Sequence, residues 1–580
     1  MALGNAQWPR AKGLTTGNSK TGFQTGTEWF ALAGIVILGG WLRFYRIQWG
    51  LEEGRPFPDE TLVWPRFLVG FIRRGFAETW ATNITVYPSI GPFVAGIGNW
   101  VASVSGYESD LRAGDLVKAI GIGRVSLAIV GLLAIPATYA IGRISSSPRR
   151  SLMAAALVAT TPIVVIQSKL LSVDTVLITA SAAALYATLL LDRKPTVLRS
   201  AFAGATIGAC FAVKYNALIL GIIPSLVLLN LARTLTLRGV AAHACAFGLS
   251  MLLVAGLGCP TCVMRPDLVL EQFRIYAAIA APSSELPLAS GATLPGIPHP
   301  VGLLGLQLPH ALGPIFALAV AVGGVRAALR HRSEDLIILG FALVPLIQFL
   351  STPLFFLRYT IVAVPAFALL ACNWASPTSD KRNLVRAGFF LLFAATLGQS
   401  LIWEHRFQVR TIQELIQEAT ETDSQTLGVL ASAPNRNIAI RGRHYGYFPA
   451  LERAGVDARV VWFDDGTESH HEASDAERRA QEARFPHVKA LPLSRTCDSE
   501  LDRLILSSRT LRALARRSKL ETGASPSELV RRISPCWESA ELRCERCELE
   551  NIGPWTWTYS APSYGSEPFY IFSRQSSLDH

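Results

Sequence analysis

Charge is scarce in this chain: of its 580 residues only 17% are Asp, Glu, Lys or Arg, half are hydrophobic, and the mean hydropathy is +0.32. So little charge over so long a sequence excludes a single soluble domain and leaves a polytopic membrane protein. Lys and Arg outnumber Asp and Glu by 54 to 43, for a formal net charge of +11, yet no clustered basic stripe is present, which argues against a nucleic-acid partner. No cleavable leader is expected either: residues 1–28 are polar, carry Arg10, Lys12 and Lys20, and lack an apolar run followed by a small-residue cleavage site. They are expected to form a cytoplasmic N-terminal tail. There is no His-rich cluster and no Asp-x-Asp pair, and His299 and His310 sit among Pro and Leu without ligand spacing. No cofactor or metal is therefore indicated, although a divalent cation is compatible with the reading.

What the chain has in quantity is long apolar runs. A spanning helix takes about 20 mostly apolar residues, and eleven stretches approach this: 29–46, 119–141, 151–169, 172–191, 200–215, 217–231, 239–258, 303–325, 335–350, 354–374 and 386–403. With the N-terminus inside, alternation places Arg143, Arg149 and Arg150, then Arg193, Lys194 and Arg199, then Arg233 and Arg238, and later Arg326, Arg330, Arg332, Lys381, Arg382 and Arg386 on the cytoplasmic side. Counting the apolar stretch Tyr87 to Ser105 as a span would move all of these outside, so it is read as a juxtamembrane helix within a first outer loop, 47–118. A second outer loop, 259–302, is rich in Pro and Gly. Both exceed the length of ordinary connectors, about 12–15 residues, as lids and substrate loops do.

After Trp403 the composition turns charged, with short alternating segments such as Ala458 to Trp462 and a basic helix-like stretch, Arg509 to Lys519. The expected architecture is a transmembrane domain, 29–403, of about 11 helices, followed by a soluble α+β domain, 404–580, on the outer side. The protein is placed in the cell's inner membrane. Of nine cysteines, Cys210, Cys245 and Cys372 fall within spans as buried small hydrophobes, whereas Cys259, Cys262, Cys497, Cys536, Cys544 and Cys547 lie outside, where oxidation is permitted. Cys259-Pro-Thr-Cys262 reads as a local disulfide or two free thiols.

The ionisable residues that interrupt the apolar background gather on one side. Asp59 and Glu60 stand together in the first outer loop, Arg124 near the outer end of the second span, Asp174 where the chain re-enters after the third, Lys214 at the outer end of the fifth and Arg358 at the outer start of the tenth. Adjacent carboxylates at a membrane face are costly to desolvate and repel each other, which suits proton abstraction or cation binding. Ordinary structural roles stand beside these: a lone Arg or Lys near a helix end snorkels to headgroups, Asp174 caps a helix beginning at Thr175, and Asp59-Glu60 opens a helix at Thr61.

These residues sit in segments that together resemble the membrane-embedded type C glycosyltransferases, specifically the protein O-mannosyltransferase and aminoarabinose transferase superfamily (glycosyltransferase family 39-like). The segments are Leu42-Arg-Phe-Tyr45, Phe57-Pro-Asp-Glu60, Tyr87-Pro-Ser-Ile-Gly-Pro92, Gly123-Arg-Val-Ser126, Ser168 to Asp174, Ala212-Val-Lys214-Tyr-Asn216 and Arg358-Tyr359 through Pro365. Ser89 replaces the second proline of the family's Tyr-Pro-Pro element, and residues 404–580 are not covered. The resemblance implies an inverting transfer of sugar from a polyprenyl-phosphate carrier to a lipid, glycan or protein acceptor. It also implies Asp59 as base with Glu60 orienting, Arg124, Lys214 and Arg358 on the phosphate, Tyr87 and Tyr359 adding hydrogen bonds, and Asp174 holding a cation. Two readings from other classes compete. A secondary transporter would use Asp59-Glu60 for a coupling ion, but the acids lie in a long loop and no paired internal repeat is evident. A non-catalytic glycan-binding scaffold would not need Asp59, which is present.

Overall fold

The structure is a computed structural model. It describes residues 26–48, 90–105, 116–267, 269–271, 274, 304–305, 308–350, 357–373 and 382–406, together with six strands between residues 426 and 574. The helices, in chain order, are α1 (Gly26–Phe44), α2 (Ile90–Val104), α3 (Leu116–Leu132), α4 (Ala134–Ser145), α5 (Pro148–Thr160), α6 (Pro162–Gln167), α7 (Asp174–Arg193) and α8 (Val197–Val213). They continue with α9 (Ile222–Leu231), α10 (Leu237–Gly258), α11 (Pro260–Met264), α12 (Leu308–Leu312), α13 (Pro314–Arg330), α14 (Ser333–Leu350), α15 (Val364–Ala371) and α16 (Arg382–Arg406). Two 3-10 segments, Tyr215–Gly221 and Leu357–Ala363, precede α9 and α15.

Five helical stretches among the described residues are long and apolar enough to cross a membrane: Gly26–Phe44, Lys118–Ser145, Asp174–Arg193, Leu237–Gly258 and Val385–Ile402. The protein is thus a mostly helical, multi-pass membrane protein. The other expected spans appear as shorter or broken helices, and two of the breaks fall at a proline. The stretch 151–169 splits because Pro162 cannot continue α5, leaving Thr161 extended at ψ 124°. The stretch 303–325 is divided at Gly313, φ 94°, into the short α12 and the longer α13, which begins at Pro314 and runs on to Arg330. The expected juxtamembrane segment is helical as α2.

The helix α7 is the hub. Its apolar window is 72% buried, against 6% for α10, and it packs against α3, α4, α8, α14 and the 3-10 segment 357–363. The most extensive pairing is α8 with α10. It depends on Gly204 and Gly208, where an added Cβ would collide with the Phe247 and Met251 carbonyl oxygens; small residues four apart let two apolar helices approach backbone to backbone. Arg43, fully buried on α1, ties that helix to the end of α5 by donating to the carbonyls of Ala159 at 3.0 Å and Val158 at 3.3 Å, where the last carbonyls of a helix lack internal partners. At one end of the bundle Arg143 pairs with Glu28 at 3.9 Å and Arg193 with Glu334 at 3.7 Å, so the start of α1, the ends of α4 and α7 and the start of α14 share that side. Asp174, at the start of α7, is on the opposite side.

Cys210 and Cys372 are buried as expected, but Cys245 is exposed, because it lies on the outward face of α10. Cys259 and Cys262 form a disulfide at the end of α10, and the four later cysteines lie outside the described residues.

The helical unit closes at Glu404 and the strands belong to a second unit. They are β1 (Thr426–Ala431), β2 (Asp457–Trp462), β3 (Ala490–Pro492), β4 (Arg503–Ser507), β5 (Trp537–Arg543) and β6 (Phe569–Arg574), in one mixed sheet ordered β3-β2-β1-β4-β6-β5. The first four neighbours pair in parallel, with Val429 opposite both Val460 and Ile505, while β6 runs antiparallel to β4 and β5. Near-continuous apolar runs such as Arg503-Leu-Ile-Leu-Ser507 suit parallel strands. The alternating segment 458–462 read from the sequence is β2. The basic stretch 509–519 lies outside the described residues.

Candidate active site

Asp174 is the first residue of α7 rather than its cap; the N-cap position is Val173, and the Asp174 N–H donates to the Ser172 hydroxyl at 3.3 Å. Its carboxylate is committed elsewhere. Lys214 Nζ donates to Oδ1 at 2.7 Å, Arg358 Nε lies 3.8 Å from Oδ2, and the Ser172 hydroxyl donates to Oδ2 at 3.3 Å. The three charged side chains are 2%, 9% and 14% exposed for Asp174, Lys214 and Arg358, so the ion pairs are largely withdrawn from water. Lys214 also stands over the Tyr359 ring, 4.2 Å from its centroid, a cation–π contact strengthened by this burial.

The backbone explains how these groups meet. Lys214 ends α8 in an extended conformation, φ −156° and ψ 122°, and the chain continues as the 3-10 segment 215–221. Arg358 and Tyr359 lie within the other 3-10 segment, which packs on α7. Irregular backbone inside apolar helices is tolerated where it is packed in protein or lines a polar cavity, and 3-10 interruptions recur at functional positions. Here both interruptions border one small cavity, with Asp174, Lys214, Asn216, Gln348 and Tyr359 as its polar lining and Leu177, Leu220, Pro345 and Val362 among its apolar wall. The enclosed space is about that of a single water, so a larger group enters it only as these side chains move apart. Arg358 reaches the cavity only through Asp174, and the three charged groups together carry one net positive charge beside it.

Of the residues expected at the site, the structure therefore brings together Asp174, Lys214, Arg358 and Tyr359. Arg124 is fully buried on α3, does not line the cavity, and donates Nη1 to the Ile47 carbonyl at 2.9 Å. A second buried cation that sequence reasoning did not single out, Lys169, donates to the neighbouring Tyr45 carbonyl at 2.5 Å. Between these two carbonyls Arg46 adopts a left-handed backbone, φ 55°. Two cations from separate elements thus grip the exit of α1, where the chain departs toward Asp59 and Glu60. Asp59, Glu60 and Tyr87 themselves lie outside the described residues, as do Trp64 and Trp80. Among the described residues no group of three or more His, Cys, Asp or Glu could hold a metal ion.

Asn216 and Gln348 were also missed. Asn216 had a signal, standing two residues beyond Lys214 in the same turn; Gln348 had only its place three residues past Pro345, inside an otherwise apolar helix.

The fold and site define a polytopic helical membrane protein with an ionic triad at interrupted helix ends. Residues 120–257, which include Arg124, Asp174 and Lys214, match the model of the dolichyl-phosphate-mannose-protein mannosyltransferase family, so the resemblance read from the sequence holds in this stretch. No curated protein sequence matches the chain. Among solved structures, ArnT from Cupriavidus metallidurans bound to undecaprenyl phosphate is similar at 13% identity and a TM-score of 0.44, over 96% of this chain and 99% of that one. The oligosaccharyltransferase AglB from Archaeoglobus fulgidus, in complex with an inhibitory peptide and a dolichol-phosphate, is similar at 11% identity and a TM-score of 0.45, over 96% and 75%. The mycobacterial arabinofuranosyltransferase AftD is similar at 12% identity and a TM-score of 0.41, over 95% and 40%.

Proposed function

We propose that this protein is an inverting glycosyltransferase of the inner membrane. It moves a sugar from a polyprenyl-phosphate carrier to an acceptor hydroxyl, or to an amine or phosphate group, on a lipid, glycan or protein at the outer face. The observation that carries the reading is the triad of Asp174, Lys214 and Arg358 beside a small polar cavity at interrupted helix ends. A phosphate brought there would balance the triad's net positive charge, and charge-assisted contacts to an oxyanion are the strong ones. The family match over residues 120–257 supports the same donor chemistry.

In the proposed reaction, for a hydroxyl acceptor, the Asp59 carboxylate takes the proton as the acceptor oxygen attacks the anomeric carbon. The bond from that carbon to the carrier's phosphate oxygen breaks, and the phosphate leaves with the bonding electron pair. Lys214 and Arg358 stabilise the charge that develops on it, and Asp174 holds both cations in place between turnovers. Glu60 orients the acceptor or sugar, and Tyr87 and Tyr359 supply hydrogen bonds. One direct displacement gives inversion without a covalent sugar intermediate. Arg124 is assigned with Lys169 to holding the exit of α1, from its bond to Ile47. The accompanying topology has eleven spans, an inner N-terminus and an outer C-terminal domain.

The test uses membranes supplied with labelled polyprenyl-phosphate sugar. Asp59→Asn is expected to abolish transfer while leaving expression and binding of bare polyprenyl monophosphate intact; undiminished turnover removes Asp59 as the base.

A further inference from the structure

Asn216 sits in the 3-10 segment two residues after Lys214 and lines the cavity. Its side-chain oxygen is shielded from solvent and accepts no hydrogen bond among the described residues. Other buried amides in the chain, Asn99 and Gln167, also hold an unpartnered oxygen, but Asn216 is the one of these three that borders the cavity. A buried acceptor of this kind awaits a donor. The chemistry of the donor can be narrowed. A phosphodiester, ionised at neutral pH, offers acceptors only, so the carrier's phosphate suits the Lys214 and Arg358 cations and cannot serve the Asn216 oxygen. The group one bond beyond that phosphate is the sugar ring, whose hydroxyls donate. Gln348 of α14 adds a second neutral amide to the lining, and the apolar wall of Leu177, Leu220 and Val362 suits the C–H faces of a ring.

Resting on the glycosyltransferase reading above, we infer that Asn216 is a specificity-determining residue, its side-chain oxygen accepting a hydrogen bond from one hydroxyl of the carrier-linked sugar. The cavity then reads both halves of the donor: the cationic end takes the phosphate and the amide takes the sugar. A site that hydrogen-bonds a substrate hydroxyl discriminates strongly against analogues lacking it, because the buried partner is left unsatisfied.

The experiment measures binding to the full-length protein in lipid nanodiscs, using bare polyprenyl monophosphate and a panel of polyprenyl-phosphate hexoses and pentoses with their monodeoxy forms. For the wild type, loss of one particular hydroxyl is expected to weaken binding about tenfold or more. In Asn216→Leu that penalty disappears while affinity for bare polyprenyl monophosphate changes less than about threefold, since the cations are untouched. Asn216→Asp, which keeps an acceptor oxygen, retains the penalty. If Asn216→Leu does not fold, Asn216→Ala provides the same comparison. The inference is overturned if the variant discriminates among the sugars as the wild type does, or if sugar-loaded carriers bind the wild type no better than the bare monophosphate. Failure of the bare monophosphate to bind the wild type is a different result, and sinks the glycosyltransferase reading itself.

Discussion

Replacing Asp174 with asparagine preserves the side chain's shape and its hydrogen bond from Ser172 but removes the charge between Lys214 and Arg358. Breaking a buried ion pair by removing one partner typically costs about 3–5 kcal/mol. The lower end applies here, because the triad borders a cavity that admits some solvation and the Arg358 contact, at 3.8 Å, is the looser of the two. A cost of about 3 kcal/mol lowers the folded-to-unfolded ratio by roughly two powers of ten. The assay is a double-mutant cycle in thermal or denaturant unfolding, comparing Asp174→Asn, Lys214→Met and the double variant in the same lipid nanodisc. Direct contact at 2.7 Å predicts that the double variant is less damaged than the sum of the singles, with a coupling of about 2 kcal/mol. Bare polyprenyl monophosphate is the second arm. With the carboxylate gone, its phosphate replaces the missing negative charge, so the ligand is expected to stabilise Asp174→Asn more than the wild type; a tenfold tighter Kd adds about 1.4 kcal/mol at saturating ligand. A single variant within about 0.5 kcal/mol of wild type, additive with Lys214→Met, would refute the account of Asp174 as the anchor of the two cations.

Two further outcomes follow from the packing. Gly208→Val forces side-chain carbon against the Met251 carbonyl and is expected to separate α8 from α10, seen as lost folded yield, whereas Gly248→Ala on α10, where an added Cβ meets nothing within 4 Å, leaves yield unchanged. Lys169→Met removes a charge-assisted bond to the Tyr45 carbonyl, a contact type worth about 1.5–3 kcal/mol; transfer turnover is expected to fall while binding of bare polyprenyl monophosphate is retained, since Lys169 is not part of the cavity lining. Loss of both together in that variant would instead show that Lys169 supports the whole bundle.

How much of this was legible in the sequence depends on what kind of signal each feature leaves. Long apolar runs gave the multi-pass architecture, because lipid exposure imposes composition directly. Their ends were less readable where proline and glycine break helices locally: α13 begins only at Pro314, and the run through 151–169 divides at Thr161. At the site, isolated charges in an apolar background are conspicuous, so Asp174, Lys214 and Arg358 were picked out one by one, although their mutual contact is tertiary and leaves no local mark. Arg124 was equally conspicuous, but composition cannot tell a cation aimed at a ligand from one that satisfies a backbone carbonyl. Lys169, only five residues before Asp174, was passed over as part of a polar turn. The spacing Gly204-x-x-x-Gly208 was passed over, and its partner α10 leaves no local mark in the sequence.

The interrupted helices explain why two cations can be brought so near one another. On the side of a regular helix, Lys214 and Arg358 would project from fixed cylinders, and their repulsion would favour rotating those helices apart. Ending α8 with an extended residue and setting Arg358 in a 3-10 turn let both cations converge on α7 at its first residue, where Asp174 separates them. The first turn of a helix carries partial positive charge, which stabilises a carboxylate there. The carboxylate in turn offsets the cost of burying two cations in an apolar setting. A regular bundle of the same composition would have no reason to give up helical hydrogen bonds at both Tyr215–Gly221 and Leu357–Ala363; on the proposed reading, receiving a phosphate between the helices supplies one.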